Sequence, residues 1–287
     1  MQTRNPVLSR IGRPQGSGGS GFAYDEGRTA YTAAATAGAS QSDQTSAADL
    51  QRMYEGPTAD GKAMTLDDVV VKTGICLAIT IAMAVVGWNL TPSMPWLMWV
   101  AMLVGLGLGF ANALMRKVTP VLVLLYAAVE GLFLGGISWF YNELAIANQY
   151  EGLVQQAVLG TLVAFAVMLT LYQTKIIKVN ATFMKAMIVA MVSYAGIAVV
   201  SFISALFGVG GGWGFYGVGL LGIALCALGV ALASLSLALD FEMIKQGVAQ
   251  GLPERESWRM AFGLLVTLIW LYLEILRLLA IISSNNR

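Results

Sequence analysis

The sequence predicts an all-α membrane protein with seven transmembrane helices. Three observations carry this. Of 287 residues, 57% are hydrophobic and only 11% are charged, against about 25% charged in soluble domains. Seven apolar segments follow one another after Asp68, each close to the roughly 20 residues a helix needs to cross a bilayer. Basic residues fall only in alternate connections between them.

The segments lie at about 69–89, 95–115, 120–140, 153–172, 183–207, 218–240 and 260–282. Pro92 and Pro95 punctuate the first connection, and Pro120 opens the third segment, where proline is tolerated. GVGGGWGFYGVG forms the fifth connection, and Pro253 lies in the sixth. Gly131 and Gly135 form a GxxxG pair in the third segment, and such residues let backbones approach closely. Trp88, Trp96, Trp99, Trp139, Trp213 and Trp258 fall near segment ends, as an aromatic belt would.

Residues 1–62 form a separate block, rich in Gly, Ser, Ala and Thr, with too few large apolar residues to build a core. The expectation is a disordered tail before a seven-helix domain over 63–287. Without an apolar h-region the tail does not read as a signal peptide. Arg116 and Lys117, then Lys175, Lys178 and Lys185, then Lys245, Arg255 and Arg259 occupy the second, fourth and sixth connections, and the odd-numbered ones have no Lys or Arg. The positive-inside rule then puts the tail in the cytoplasm and Arg287 outside, and the expected location is the cell membrane.

Composition also excludes several chemistries. Net charge is +1, which argues against a nucleic-acid partner. Histidine is absent, removing Ser-His-Asp catalysis and histidine zinc sites. Cys76 and Cys226 lie in separate apolar segments without metal-ligand spacing, so they read as small buried hydrophobes. Asp240 is the single aspartate beyond residue 68, so an intramembrane aspartyl protease lacks its pair. The expectation is a non-enzyme without a cofactor.

Four acidic residues remain within or at the edge of the apolar segments: Glu130, Asp240, Glu242 and Glu274. An ionisable residue inside a membrane segment is costly and marks a functional site by default. Glu130, in YAAVEGLFLGG, is expected either to bond a neighbouring helix or to line a polar path. Asp240, in LALDFEMIKQG, would stand about a turn inside the edge if its helix continues through Met243. Glu242 points elsewhere around that helix and reads as solvated. Glu274 and Arg277 are three apart and share a helix face, so they either neutralise each other or form a functional polar cluster. Counted from their segment starts, Glu130 and Glu274 differ in height by only about 6 Å, so contact between them is geometrically allowed.

YAAVEGLFLGGIS in the third segment, LALDFEMI closing the sixth and LEILRLLAII closing the last resemble the Bax inhibitor-1-like membrane proteins, most closely the actinobacterial branch with a long polar tail. The resemblance spans about residues 65–283. It implies six helices around a central seventh and a pH-sensitive calcium leak gated by two aspartates that share a proton. Asp240 matches the aspartate of the sixth helix. The position of the second falls on Thr267, which cannot share a proton as a carboxylate does, and Arg116 or Lys117 is a candidate partner for Asp240. Glu274 lies two turns beyond Thr267, about 10 Å further along.

The resulting expectation is a calcium or other cation leak along Asp240, Glu274, Arg277 and Glu130, with Arg116 and Thr267 beside the sixth helix. The alternative is a regulator of a membrane protease or of a stress or cell-death pathway, docking a membrane-protein partner through its tail. The bilayer is the remaining partner.

Overall fold

In the computed structural model, residues 62–285 are described, except Arg116 and Val218. The expectations for residues 1–61 and for Arg116 lie outside them. Lys62, assigned above to the tail, belongs to the folded unit, because its carbonyl accepts a hydrogen bond from Glu254 N at 2.9 Å.

Seven helices among the described residues are long and apolar enough to cross a membrane. They are α1 (Leu66–Leu90), α2 (Trp96–Leu114), α3 (Pro120–Ala147), α4 (Leu153–Gln173), α5 (Ala181–Leu206), α6 (Gly219–Ala249) and α7 (Ser257–Asn285). Local chemistry sets their starts. Thr65 caps α1 through a reciprocal box, its Oγ1 accepting from Asp68 N at 3.2 Å while Asp68 Oδ2 accepts from Thr65 N at 2.9 Å. Asn180 Oδ1 caps α5 by accepting from Phe183 N at 2.7 Å.

Two helices run well past their predicted ends. α3 continues to Ala147, with Glu143 exposed on its added turns, and α6 continues to Ala249. Apolar length alone missed the extra turns because they are amphipathic. Tyr141 and Ala145 of α3, and Phe241 and Ile244 of α6, are buried against neighbours, so these turns are held by packing. Similarly, the glycine-rich fifth connection is folded into two short 3-10 turns, Val209–Gly212 and Gly214–Gly217. Gly214 has φ +62°, and a Cβ there would strike the Ser201 carbonyl. Ser201 Oγ, in turn, accepts from Phe215 N at 3.0 Å, seating the connection on α5.

α7 is the central element. It packs directly on α1, α3, α4 and α6, which also contact one another in the order α1–α3–α4–α6. The implied ring of six is therefore two-tiered: α2 packs on α3 and α5 on α6. The predicted GxxxG pair does pack helices, since Gly131 and Gly135 face the α1 backbone at Thr80 and Ala84. Thr80 Oγ1 donates to Ala127 O across the same seam at 3.1 Å. Cys76 and Cys226 are both free and fully buried.

The chain ahead of α1 is clamped onto the α6–α7 connection. Met64 N donates to Leu252 O at 2.8 Å, and Ala63 pairs with Pro253 as an isolated antiparallel bridge. The Met64 side chain is buried against Gly247, Leu252 and Met260. Lys72 of α1 completes the clamp, donating to Ser257 Oγ at 2.6 Å and pairing with Glu254 at 3.2 Å. This end is called proximal below, and the opposite end distal.

Candidate functional site

Asp240 lies on the inner face of α6, nine residues before its proximal end, and is 8% exposed. The extra length of α6 is what puts it inside. Across from it on α7, a Cβ on Gly263 would lie 3.8 Å from Oδ1, and Thr267 is the polar neighbour of the carboxyl group. Oδ2 is buried and has no hydrogen-bond partner. Buried polar atoms are normally satisfied, and among the described residues Thr73 Oγ1, Asp240 Oδ2 and Glu274 Oε2 are the exceptions. No ion pair among the described residues includes it. Lys117 is exposed instead, beside Arg259 around a small proximal pocket.

Glu274 lies two turns further along α7 and is 3% exposed. Its Oε1 accepts from Tyr194 Oη of α5 at 2.9 Å and from Trp270 Nε1 of α7 at 3.2 Å. Its Oε2 stands 3.5 Å from Arg277 Nη1 and accepts no hydrogen bond. Tyr216, from the folded fifth connection, donates to Tyr194 Oη at 3.1 Å and offers its ring to Arg277, whose guanidinium sits 4.5 Å from the ring centroid. Arg277 thus joins a charge pair, a cation–π contact and the neighbouring Tyr141. Its side chain remains 30% exposed because it borders open space.

That space is a cavity of about 1070 Å³ between α2, α3, α5 and α7, lined mainly by aromatic and aliphatic groups, with Glu274 and Arg277 on its α7 wall. A second cavity of about 200 Å³ runs from Arg277 along α7 to Ser284 at the distal end. Tyr141, Trp213, Tyr216 and Arg277 line both cavities and divide one from the other. Between Asp240 and Glu274 lies an apolar layer: Ala233, Leu237 and Leu271 are completely buried. The two carboxyl groups therefore sit at two levels of α7, separated by about 10 Å of packed hydrocarbon.

Glu130 belongs to neither level. Its carboxyl group faces α2, with Oε2 in the space that a Cβ on Gly105 would fill. The allowed contact between Glu130 and Glu274 is not made, since helical phase turns Glu130 towards α2. Glu242 is half-buried, not free in solvent, and accepts from Tyr172 Oη of α4 at 2.6 Å and from Gln246 Nε2 at 3.0 Å. Among the described residues, no group of three or more Cys, Asp or Glu is placed to hold a metal ion.

Sequence reasoning missed Tyr194, Trp270, Tyr216 and Gly229. Trp270 was within reach, since it precedes Glu274 by four and shares its face. Tyr194 and Tyr216 come from other elements, with no local signal. Gly229 of α6 makes the room. A Cβ there would meet Tyr194 Oη and lie 2.7 Å from Glu274 Cδ. Gly229→Ala is therefore expected to displace the Glu274 carboxyl group and cost roughly 1–3 kcal/mol by overpacking. Thermal unfolding in detergent measures this, and an unchanged midpoint would mean that the carboxyl group moves freely.

The family pattern described as Bax inhibitor 1 like matches residues 16–284. The chain belongs to that family. The match to the Bax inhibitor 1 like pattern begins well before residue 65, so the family's extent takes in much of the block that the sequence motifs left out. Among curated proteins, none matches this chain.

Proposed function

We propose that this Bax inhibitor 1 like membrane protein is a gated cation leak, with calcium as the ion suggested by the family resemblance and Asp240 as its proton-sensitive element. The observation that carries the reading is the two-level arrangement of Asp240 on α6 and Glu274 on α7. An acid with an unpartnered oxygen lies on the proximal side, an acid bordering a large cavity lies on the distal side, and a dry layer of Ala233, Leu237 and Leu271 closes the way between them. A short apolar constriction of this kind gates by wetting and drying. Calcium prefers oxygen ligands, and these carboxyl groups with backbone carbonyls exposed by opening would supply them in succession. In this reading, the protein is not an enzyme, lies in the cell membrane and keeps its N-terminus in the cytoplasm.

Thr267 in place of a second aspartate makes the sensor a single titrating acid, so protonation of Asp240 alone changes the charge beside the constriction. Calcium flux from liposomes holding purified protein, measured between pH 5 and 8, tests this. Asp240→Asn is expected to remove the pH dependence while leaving a basal flux, whereas Glu274→Gln is expected to lower flux at every pH. Wild-type protein with no flux across that range would overturn the leak reading. It would favour a regulator acting through its tail, whose junction is bonded directly to the α6–α7 connection through Met64 and Lys62.

A further inference from the structure

We infer that the distal cavity is a binding site for a phospholipid with a zwitterionic primary-amine headgroup, of the phosphatidylethanolamine class. The inference does not rest on the leak reading.

Size and access come first. At about 1070 Å³ the cavity is at the upper end of the range for ligand sites. α2 and α5, which form two of its walls, are not packed on one another. Its rim carries Trp99, Phe202 and Leu206, which are 57%, 61% and 71% exposed. In a bilayer such apolar surface faces acyl chains, so the cavity is continuous with the hydrocarbon of the distal leaflet. A molecule entering there comes from the membrane, with its chains lying between α2 and α5.

The α7 wall selects the head. It presents one acid and one base in an otherwise uncharged space, so their sum is neutral. A purely anionic head would meet Glu274, and a purely cationic one would meet Arg277. A zwitterion satisfies both. Arg277 Nη1 is 3.5 Å from Glu274 Oε2 without a hydrogen bond, a loose pair that a headgroup can enter. The guanidinium fork suits a phosphate, and the buried Oε2, which accepts nothing, suits an ammonium with donors of its own. Tyr194 and Trp270 hold Oε1 and keep the carboxylate in place during the exchange. A trimethylated ammonium has no N–H to give Oε2, so phosphatidylcholine fits less well.

The test is native mass spectrometry of the full chain in detergent, with phosphatidylethanolamine, phosphatidylcholine and phosphatidylglycerol of identical acyl chains. Phosphatidylethanolamine is expected to be retained roughly tenfold better than either of the others, the worth of a charge-assisted hydrogen bond. Arg277→Gln and Glu274→Gln should each remove that preference. Ala198→Phe, which adds bulk to the cavity and leaves both charged residues in the sequence, should lower the binding of all three lipids and keeps the test open if the charge variants fail to fold. Equal retention of the three lipids by the wild type would overturn the proposal. So would a preference for phosphatidylglycerol, and so would unchanged selectivity in a folded Arg277→Gln protein. Equal competition by chain-free glycerophosphoethanolamine would overturn the lipid assignment in favour of a soluble zwitterion.

Discussion

Gly135→Ala is expected to destabilise the protein by about 3 kcal/mol, at the top of the usual range for overpacking. The added Cβ would strike the Ala84 carbonyl oxygen and lie 2.7 Å from Trp88 N. Both are backbone atoms of α1, which cannot rotate away as a side chain can. The two helices would have to separate, loosening the Thr80–Ala127 hydrogen bond on the same seam. The melting midpoint in detergent should fall by on the order of 10 °C. Gly74→Ala is the matched control, because a Cβ there meets nothing within 4 Å. It should leave the midpoint unchanged or raise it slightly, since alanine favours helix over glycine by about 1 kcal/mol. Equal effects of the two substitutions would reduce the Gly135 result to helix propensity and refute the close seam.

Arg277→Met is expected to cost about 2 kcal/mol. Removing one partner of a fully buried pair costs roughly 3–5 kcal/mol, and the 30% exposure of the Arg277 side chain places it below that range. The loss comes from leaving the Glu274 carboxylate with only Tyr194 and Trp270. Combining it with Glu274→Gln should recover most of the stability, because the charge that needed compensation is gone. A thermal double-mutant cycle measures the coupling. Strictly additive losses would mean that Glu274 and Arg277 act independently despite their 3.5 Å approach.

Much of the fold was legible in the sequence, for a definite reason: lipid imposes one rule on every spanning segment, so apolar length reports helices directly. Where that rule stops, reading stopped too. The last turns of α3 and α6 are amphipathic, and their assignment depends on the pockets that receive Tyr141, Phe241 and Ile244. The glycine-rich connection gave no hint of folding over α5, because its geometry comes from the Ser201 contact. The acids were visible as anomalies in apolar runs, yet their surroundings were not. Helical spacing joined Glu274 to Arg277 correctly. Segment depth alone allowed Glu130 to meet Glu274, and helical phase, which turns Glu130 towards Gly105, decided otherwise.

The strap of backbone hydrogen bonds from Lys62 and Met64 to Leu252 and Glu254 has a mechanical corollary. Traction on the N-terminal arm would be transmitted through two or three peptide units to the hairpin joining the last two spans, with no slack between. A bulky adaptor grafted next to Lys62 would therefore strain that hairpin.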